Sequence, residues 1–343
     1  IIGGSYEPER FTNVRAKPGL SVIAGLGYQL STPLLIESED RGPFSTDNHS
    51  IERLTDALSI YDVLEPLLAT PSKGAIEQVI REASPVALRK LEDSLDALRK
   101  TVLGSLVPKT PQDDFAKFYE NLYALKDSPA YQSLVHRTAL FPLGNSDIKD
   151  VASSSSGQLD ALVALRYLTP FKLSGAEDVL SSVHPELRRS LDHDFVLPSH
   201  LAPVDSRYSA TWRAERARLL LALLAGNAKD GAYADARRYA ASRLIVDLEY
   251  NLVVDTRPAD RRSAPVRQIL FGRESTENLI TGGPGQNRLF GGAQADQIRG
   301  DISDDYIEGR QGNDDIRGGA GSDTLIGGEG NDQITGEAAS AAG

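Results

Sequence analysis

Carboxylates and side-chain amides spaced nine residues apart are the groups in this sequence best placed to do chemistry. Asn278, Asn287, Asp296, Asp305, Asp314, Asp323 and Asp332 hold the sixth position of consecutive nine-residue units. Ile280, Leu289, Ile298, Ile307, Ile316, Leu325 and Ile334 hold the eighth. The pattern is cleanest in GGAGSDTLI (318–326) and GGEGNDQIT (327–335), where glycine fills the first, second and fourth positions. It is worn elsewhere: Asp301 and Arg310 replace the second glycine, Gln294 and Ser303 the fourth, and the first two units carry Asn for Asp. A flexible Gly/Asp linker would keep no register and would not supply an aliphatic every nine residues. Self-similarity at a fixed period is the mark of a stacked solenoid.

Each position has a physical task. Gly312, Gly319, Gly321, Gly328 and Gly330 admit positive φ, so the first six residues of a unit can turn tightly with carbonyls pointing inward. The last three residues then form a short strand that buries only its middle side chain. Two units close one coil, which brings aspartates of neighbouring coils together, and like charges so placed repel unless a cation lies between them. Carboxylate and carbonyl oxygens are hard donors that suit Ca²⁺ better than a soft transition metal. The expected ligand set is Asp296, Asp305, Asp314, Asp323, Asp332 and Asn287, with the five glycines named above. The pairs Asp305/Asp323 and Asp314/Asp332 rank first and Asp296/Asp314 next.

The run resembles the GGxGxDxUx nonapeptide repeat of RTX proteins. That resemblance implies a calcium-binding parallel β-roll over 273–336 followed by a tail at 337–343. It also implies a secreted, extracellular protein of a Gram-negative bacterium, exported without a leader through a type I secretion exporter that reads a C-terminal signal. Low cytosolic calcium would keep the roll unfolded and threadable, and external calcium would fold it.

The acidity is local. From Phe271 onward the chain holds 17 of its 30 glycines and 13 acidic against 5 basic residues, a net of −8 out of −11 overall. No basic stripe exists to neutralise phosphates, which argues against nucleic acid as a partner. With no cysteine there are neither disulfides nor thiolate metal sites. The most apolar run, LLLALLAG (219–226), is too short to span a bilayer, and IIGGSYEPERF has no signal-peptide pattern. Methionine is absent, so the expectation is that Ile1 is not the start of the gene product.

Upstream of the repeats the spacing is mostly helical. Ile51, Leu54, Ala57, Leu58, Tyr61 and Leu64 line one face of a helix from about Ser50 to Leu68. Ser84-Pro85 opens a second, carrying Leu88, Leu91, Leu95 and Leu98. Thr110-Pro111 opens a third, carrying Phe115, Phe118, Tyr119 and Leu122. VASSSSGQLDA (151–161) is a loop leading into a further helix, and 207–225 forms a strong one around Trp212. SRLIVDLEYNLVV (242–254) and VRQILFG (266–272) read as strands that would cap the open end of the solenoid. The fold class expected is therefore multidomain: a strand-bearing N-terminal segment (1–69), a mainly α-helical middle region (70–240), a strand cap or linker (241–272) and the C-terminal parallel β-roll. A family resemblance carried by residues 11–68 implies that the first of these is a partial α/β-hydrolase-like strand segment.

One histidine stands apart. His136, His184, His193 and His200 sit in contexts that suit surface or capping roles, whereas His49 follows the strand-like stretch 19–37 and an acidic loop, and opens a helix. The run from FTNVRAKPGL to YDVLEPL, about residues 11–68, resembles the part after the nucleophile in RTX-bearing, lipase-like (class 3) α/β-hydrolases. That resemblance implies a serine hydrolase acting on a lipid or other ester substrate. His49 would be its base and Asp40 or Asp47 a local candidate for the orienting carboxylate. The chain departs from the family in lacking G-x-S-x-G: GGSYE, GLSVI and GNSDI all miss the closing glycine. The nucleophile would then lie outside this chain. The alternative is a non-catalytic, calcium-dependent structural or adhesive region of a large surface protein.

Overall fold

The computed structural model describes residues 51–70, 72–84, 90–104, 107–112, 114–152, 158–193, 208–227, 243–257 and 267–336. The strands expected in 19–37, with Asp40, Asp47 and His49, lie outside the described residues, as do His200 and the tail. The chain divides into two compact units.

The first unit comprises 1–145, 166–184 and 224–234. Its described part holds α1 (Ile51–Leu64), α2 (Lys73–Ala83), α3 (Leu91–Leu103), α4 (Phe115–Lys126) and α5 (Pro129–Leu134). A small antiparallel pair, β1 (Ala139–Pro142) with β2 (Phe171–Ser174), joins them. The buried face of α1 is Ala57, Ile60, Val63 and Leu64, rotated from the expected one, so that Leu58 is left 46% exposed. Helix α3 buries Leu91, Leu95, Leu98 and Val102, a stripe at helical spacing. Thr110 is not the cap of α4. That role falls to Asp114, whose Oδ1 accepts from Lys117 N at 3.0 Å, while Thr110 is buried beside Asp96 and Asn121.

His184 also departs from expectation. Its backbone caps helix Glu177–Val183, as the sequence suggested, but its ring is fully buried between Tyr167 Oη (3.2 Å) and the Thr101 carbonyl (2.8 Å). It is a core histidine with both ring nitrogens engaged. His136 is exposed, with a positive φ of 60°.

The second unit comprises 146–165, 185–223 and 235–343 and contains the solenoid. Two parallel sheets face each other. One has the order β12 (Gln333–Thr335), β10 (Asp315–Ala320), β8 (Gln297–Ile302), β6 (Leu279–Thr281). The other runs β11 (Thr324–Glu329), β9 (Tyr306–Gln311), β7 (Arg288–Phe290), β5 (Arg267–Phe271), β3 (Arg243–Asp247), β4 (Leu252–Asp255). Pairing registers equivalent residues eighteen apart: Ile280 with Ile298, Ile298 with Ile316, Leu289 with Ile307, Ile307 with Leu325. Two units per coil is thus the observed repeat.

Ile280, Leu289, Ile298, Ile307 and Ile316 form the core between the sheets. One buried aliphatic per nine residues is a thin core for that many ordered backbones. Strands β8 to β11 are longer than the three residues expected. They continue through positions one to three of the next unit, so alternation buries the first-position glycine as well as the eighth-position aliphatic, as in the pattern of β8.

Within the same unit, β3 extends the sheet beyond β5 in parallel and β4 closes its edge antiparallel. Helix Ala210–Asn227 brings Trp212 edge-on to Phe271, which stacks on Phe290 at 5.1 Å. Arg216 forms a buried ion pair with Asp247, and the fully buried Glu215 is shared among Arg218, Arg243 and Arg288. Among the described residues no helix is long and apolar enough to cross a membrane.

Candidate calcium centres along the roll

The sixth-position residues form two ladders, Asn278–Asp296–Asp314–Asp332 and Asn287–Asp305–Asp323. In each step one carboxylate oxygen accepts from the backbone of the residue eighteen earlier. Asp296 N donates to Asp314 Oδ1 (2.8 Å), Asp305 N to Asp323 Oδ1 (2.9 Å) and Asp314 N to Asp332 Oδ1 (3.0 Å). The coil-to-coil approach of aspartates expected from the sequence is therefore present. Asp296, Asp305 and Asp314 are buried, whereas Asp323 and Asp332, on the last coil, are half-buried.

The second oxygens decide the chemistry. Asp305 Oδ2 and Asp314 Oδ2 are buried with no hydrogen-bond partner. A Cβ placed on Gly300 would fall within 3.0 Å of both Asp305 Oδ2 and the Gly318 carbonyl oxygen. One on Gly309 would meet Asp314 Oδ2 and the Gly327 carbonyl oxygen in the same way, and one on Gly291 would meet Asp296 Oδ2 and the Gly309 carbonyl oxygen. At each of these points a carboxylate oxygen faces a carbonyl oxygen of the next coil. Asp296 Oδ2 accepts from Gly292 N (2.6 Å), whereas Asp305 Oδ2 and Asp314 Oδ2 have no donor. A buried carboxylate oxygen left so beside a carbonyl is costly, and a hard cation resolves it.

Electrostatics agree with this geometry. Burial, reinforced by the charge of Asp323, pushes Asp305 up to about 6. Burial, reinforced by Asp296 and Asp332, pushes Asp314 up to about 7. Asp296 is raised by burial too, but hydrogen bonds from Gly292 N and Asn278 oppose the shift. In each, the hydrogen bonds received offset only part of the cost of burying the charge.

Calcium therefore fits the residues present. Among the described residues no group of three or more His, Cys, Asp or Glu side chains is assembled to hold a metal, so a shell would need backbone carbonyls beside the aspartate pairs. The second- and fourth-position glycines provide the turns. Gly312, Gly319, Gly321, Gly328 and Gly330 all have positive φ, and at Gly330, for example, a Cβ would run into the Gly312 carbonyl of the coil beneath. Asp301 (98°), Ser303 (89°) and Arg310 (81°) keep the same left-handed backbone without being glycine. The units opening at Gly300 and Gly309 thus retain the turn at the expense of strain, whereas Gly283, Gly292 and Gln294 are not left-handed.

Asn287, expected among the ligands, presents N–H groups instead. Its Nδ2 donates to the carbonyls of Gly283 (2.8 Å) and Gly300 (3.3 Å) and to Asp305 Oδ1 (3.0 Å). The sequence reading also missed the role of the first-position glycines, which matter for space and not for φ. Their signal was available: every unit from Gly282 onward begins with glycine, whereas the second and fourth positions vary.

Residues 281–316 and 308–339 match the RTX calcium-binding nonapeptide repeat (four copies). No curated protein and no solved structure matches the chain. The ladders of aspartate and glycine in this roll are RTX repeats, and calcium is the ion that such repeats bind.

Proposed function

We propose that the chain is the calcium-folded portion of a protein exported to the extracellular space, with Ca²⁺ held between Asp305 and Asp323, Asp314 and Asp332, and Asp296 and Asp314. The observation that carries this reading is the pair of buried, partnerless oxygens Asp305 Oδ2 and Asp314 Oδ2, each set against a carbonyl of the next coil. Without the ion the aspartates repel and the aliphatic core is thin, so binding free energy becomes folding free energy. Such coupling suits passage through a type I exporter, because the coils stay threadable at low calcium and fold outside at the millimolar levels typical of extracellular modules. Circular dichroism of the protein in chelator should show a coil-like contribution from the aspartate-bearing coils that converts to β on adding Ca²⁺. Mg²⁺ should fail, since it demands a smaller octahedral shell. A spectrum unchanged across the calcium titration would contradict the proposal.

Two roles for the remainder are distinguishable. The resemblance of residues 11–68 to class 3 lipase-like hydrolases supports an ester hydrolase whose nucleophile lies elsewhere in a longer protein, with His49 as base. In that protein His49→Ala would abolish p-nitrophenyl ester turnover and leave calcium-induced folding intact. Full turnover by the variant would favour the structural or adhesive reading.

A further inference from the structure

The two ladders begin alike, and differently from their continuation: each opens on an asparagine. Asn278 Nδ2 donates to the carbonyls of Arg273 (2.9 Å) and Thr276 (3.1 Å) and to Asp296 Oδ1 (2.8 Å). Asn287 Nδ2 does the same with Gly283, Gly300 and Asp305 Oδ1. In both, one amide nitrogen is ringed by two carbonyl oxygens and one carboxylate oxygen, the donor set that a hard cation would claim. For Asn287 the correspondence is positional, whereas both carbonyls met by Asn278 belong to its own turn. A Cβ on Gly282 would fall within 3.0 Å of Asn287 Nδ2, or of the Gly300 carbonyl oxygen. One coil later the same construction at Gly300 meets Asp305 Oδ2 and the Gly318 carbonyl oxygen. A donor therefore faces the carbonyl in the first coil, where an acceptor faces it in the second.

Both asparagines are buried, and their other ends are also engaged. Asn278 Oδ1 accepts from Arg273 N (2.8 Å) and Asn287 Oδ1 from Gln268 N (3.2 Å). Their backbone amides donate to Asp296 Oδ1 and Asp305 Oδ1, both at 2.7 Å. The amide supplies what the site requires, two polar hydrogens shared among three oxygens, without a net charge and without a free ion.

We infer that Asn278 and Asn287 close the Asn278/Asp296 and Asn287/Asp305 steps in place of calcium. The first coil is then an ion-independent template on which the calcium-dependent coils stack. The inference rests on the proposal that the aspartate pairs hold Ca²⁺. It divides the ladders into two steps sealed by an amide and three that take an ion: Asp296/Asp314, Asp314/Asp332 and Asp305/Asp323. It also gives folding a direction. The template adjoins β5, β3 and β4, whose pairing contains no such step, so ordering would start at that edge and proceed toward β12 as calcium is bound.

Native mass spectrometry of the full chain with Ca²⁺ as the only added metal tests this. The wild type should bind three ions and the double variant Asn278→Asp/Asn287→Asp five. Five ions on the wild type, or no increase in the double variant, would overturn the inference while leaving the calcium reading intact. No bound calcium on the wild type would remove both. Amide exchange in chelator is a second readout that does not depend on binding by the variant. Gln297 N, which donates to the Asn278 carbonyl, should stay protected in the wild type while Gln333 N, the equivalent donor to the Asp314 carbonyl, exchanges freely. Equal exchange at the two positions would overturn the inference.

Discussion

Replacing Gly309 by alanine adds one methyl group where the account requires space for an ion. The backbone at Gly309 is not left-handed, so alanine can adopt its φ, and the effect is steric. The new Cβ would lie within 3.0 Å of Asp314 Oδ2 and of the Gly327 carbonyl oxygen. The carboxylate can swing aside, but the carbonyl belongs to the stacked backbone of the next coil and cannot. Overpacking of this kind costs about 1–3 kcal/mol. Because the ion must bind in the same volume, the loss should appear in calcium affinity, and at about 1.4 kcal/mol per decade it amounts to roughly a 5- to 150-fold weaker midpoint. Calorimetric titration of the wild type and Gly309→Ala with Ca²⁺ measures it directly. Gly226→Ala is the control: beyond its own helix backbone nothing lies within 4 Å of its added Cβ. It should stabilise its helix by about 0.5–1 kcal/mol and leave the calcium midpoint unchanged. A Gly309→Ala variant that titrates like the wild type would refute the assignment of this space to the ion.

Asp301→Gly and Ser303→Gly should each stabilise the calcium-loaded roll by up to about 1 kcal/mol in thermal unfolding. They relieve a left-handed backbone worth about 1–3 kcal/mol, offset in part by the extra freedom of glycine in the unfolded chain. The pH dependence has a definite sign. Asp305 and Asp314 have folded-state values near 6 and 7, raised from 3.8, so in chelator they contribute stability that is complete below about 3.8 and lost as pH rises through 6 to 7. With calcium the direction reverses, since protons compete with the ion, and the calcium midpoint should weaken steadily between pH 8 and pH 5.5. Glu215→Ala should destabilise the second unit by on the order of 2–3 kcal/mol. That is less than for a fully buried pair, because Arg218, Arg243 and Arg288 keep contact with water. Its Trp212 fluorescence transition should shift to lower denaturant.

The roll was legible because its restraints are local and repeated. A nine-residue period fixes both the coil length and the aspartate ladders. Asn287 was read as a ligand because a one-letter pattern records the position of a side chain and not that its Nδ2 is directed at the carbonyls of Gly283 and Gly300. The first-position glycines were overlooked for a related reason. Their φ is ordinary, and only the stacked coil reveals that a Cβ has nowhere to go. In the helical region, periodicity located α1, α3 and α4 but not the rotation that exposes Leu58, which depends on where α3 packs. His184, read as a surface or capping residue, caps a helix through its backbone but was missed as a core residue. Its partners Tyr167 and Thr101 are 17 and 83 residues away, beyond the reach of any local pattern.

The most direct test of the central claim is the crystal structure of the protein grown in calcium, with data collected where calcium scatters anomalously. The account predicts peaks between Asp296 and Asp314, Asp305 and Asp323, and Asp314 and Asp332. Asp305 Oδ2, Asp314 Oδ2 and backbone carbonyl oxygens should lie about 2.3–2.6 Å from them. No peak should lie beside Asn278 or Asn287. Density that leaves the three aspartate steps empty, with those oxygens satisfied by protein donors, would contradict it.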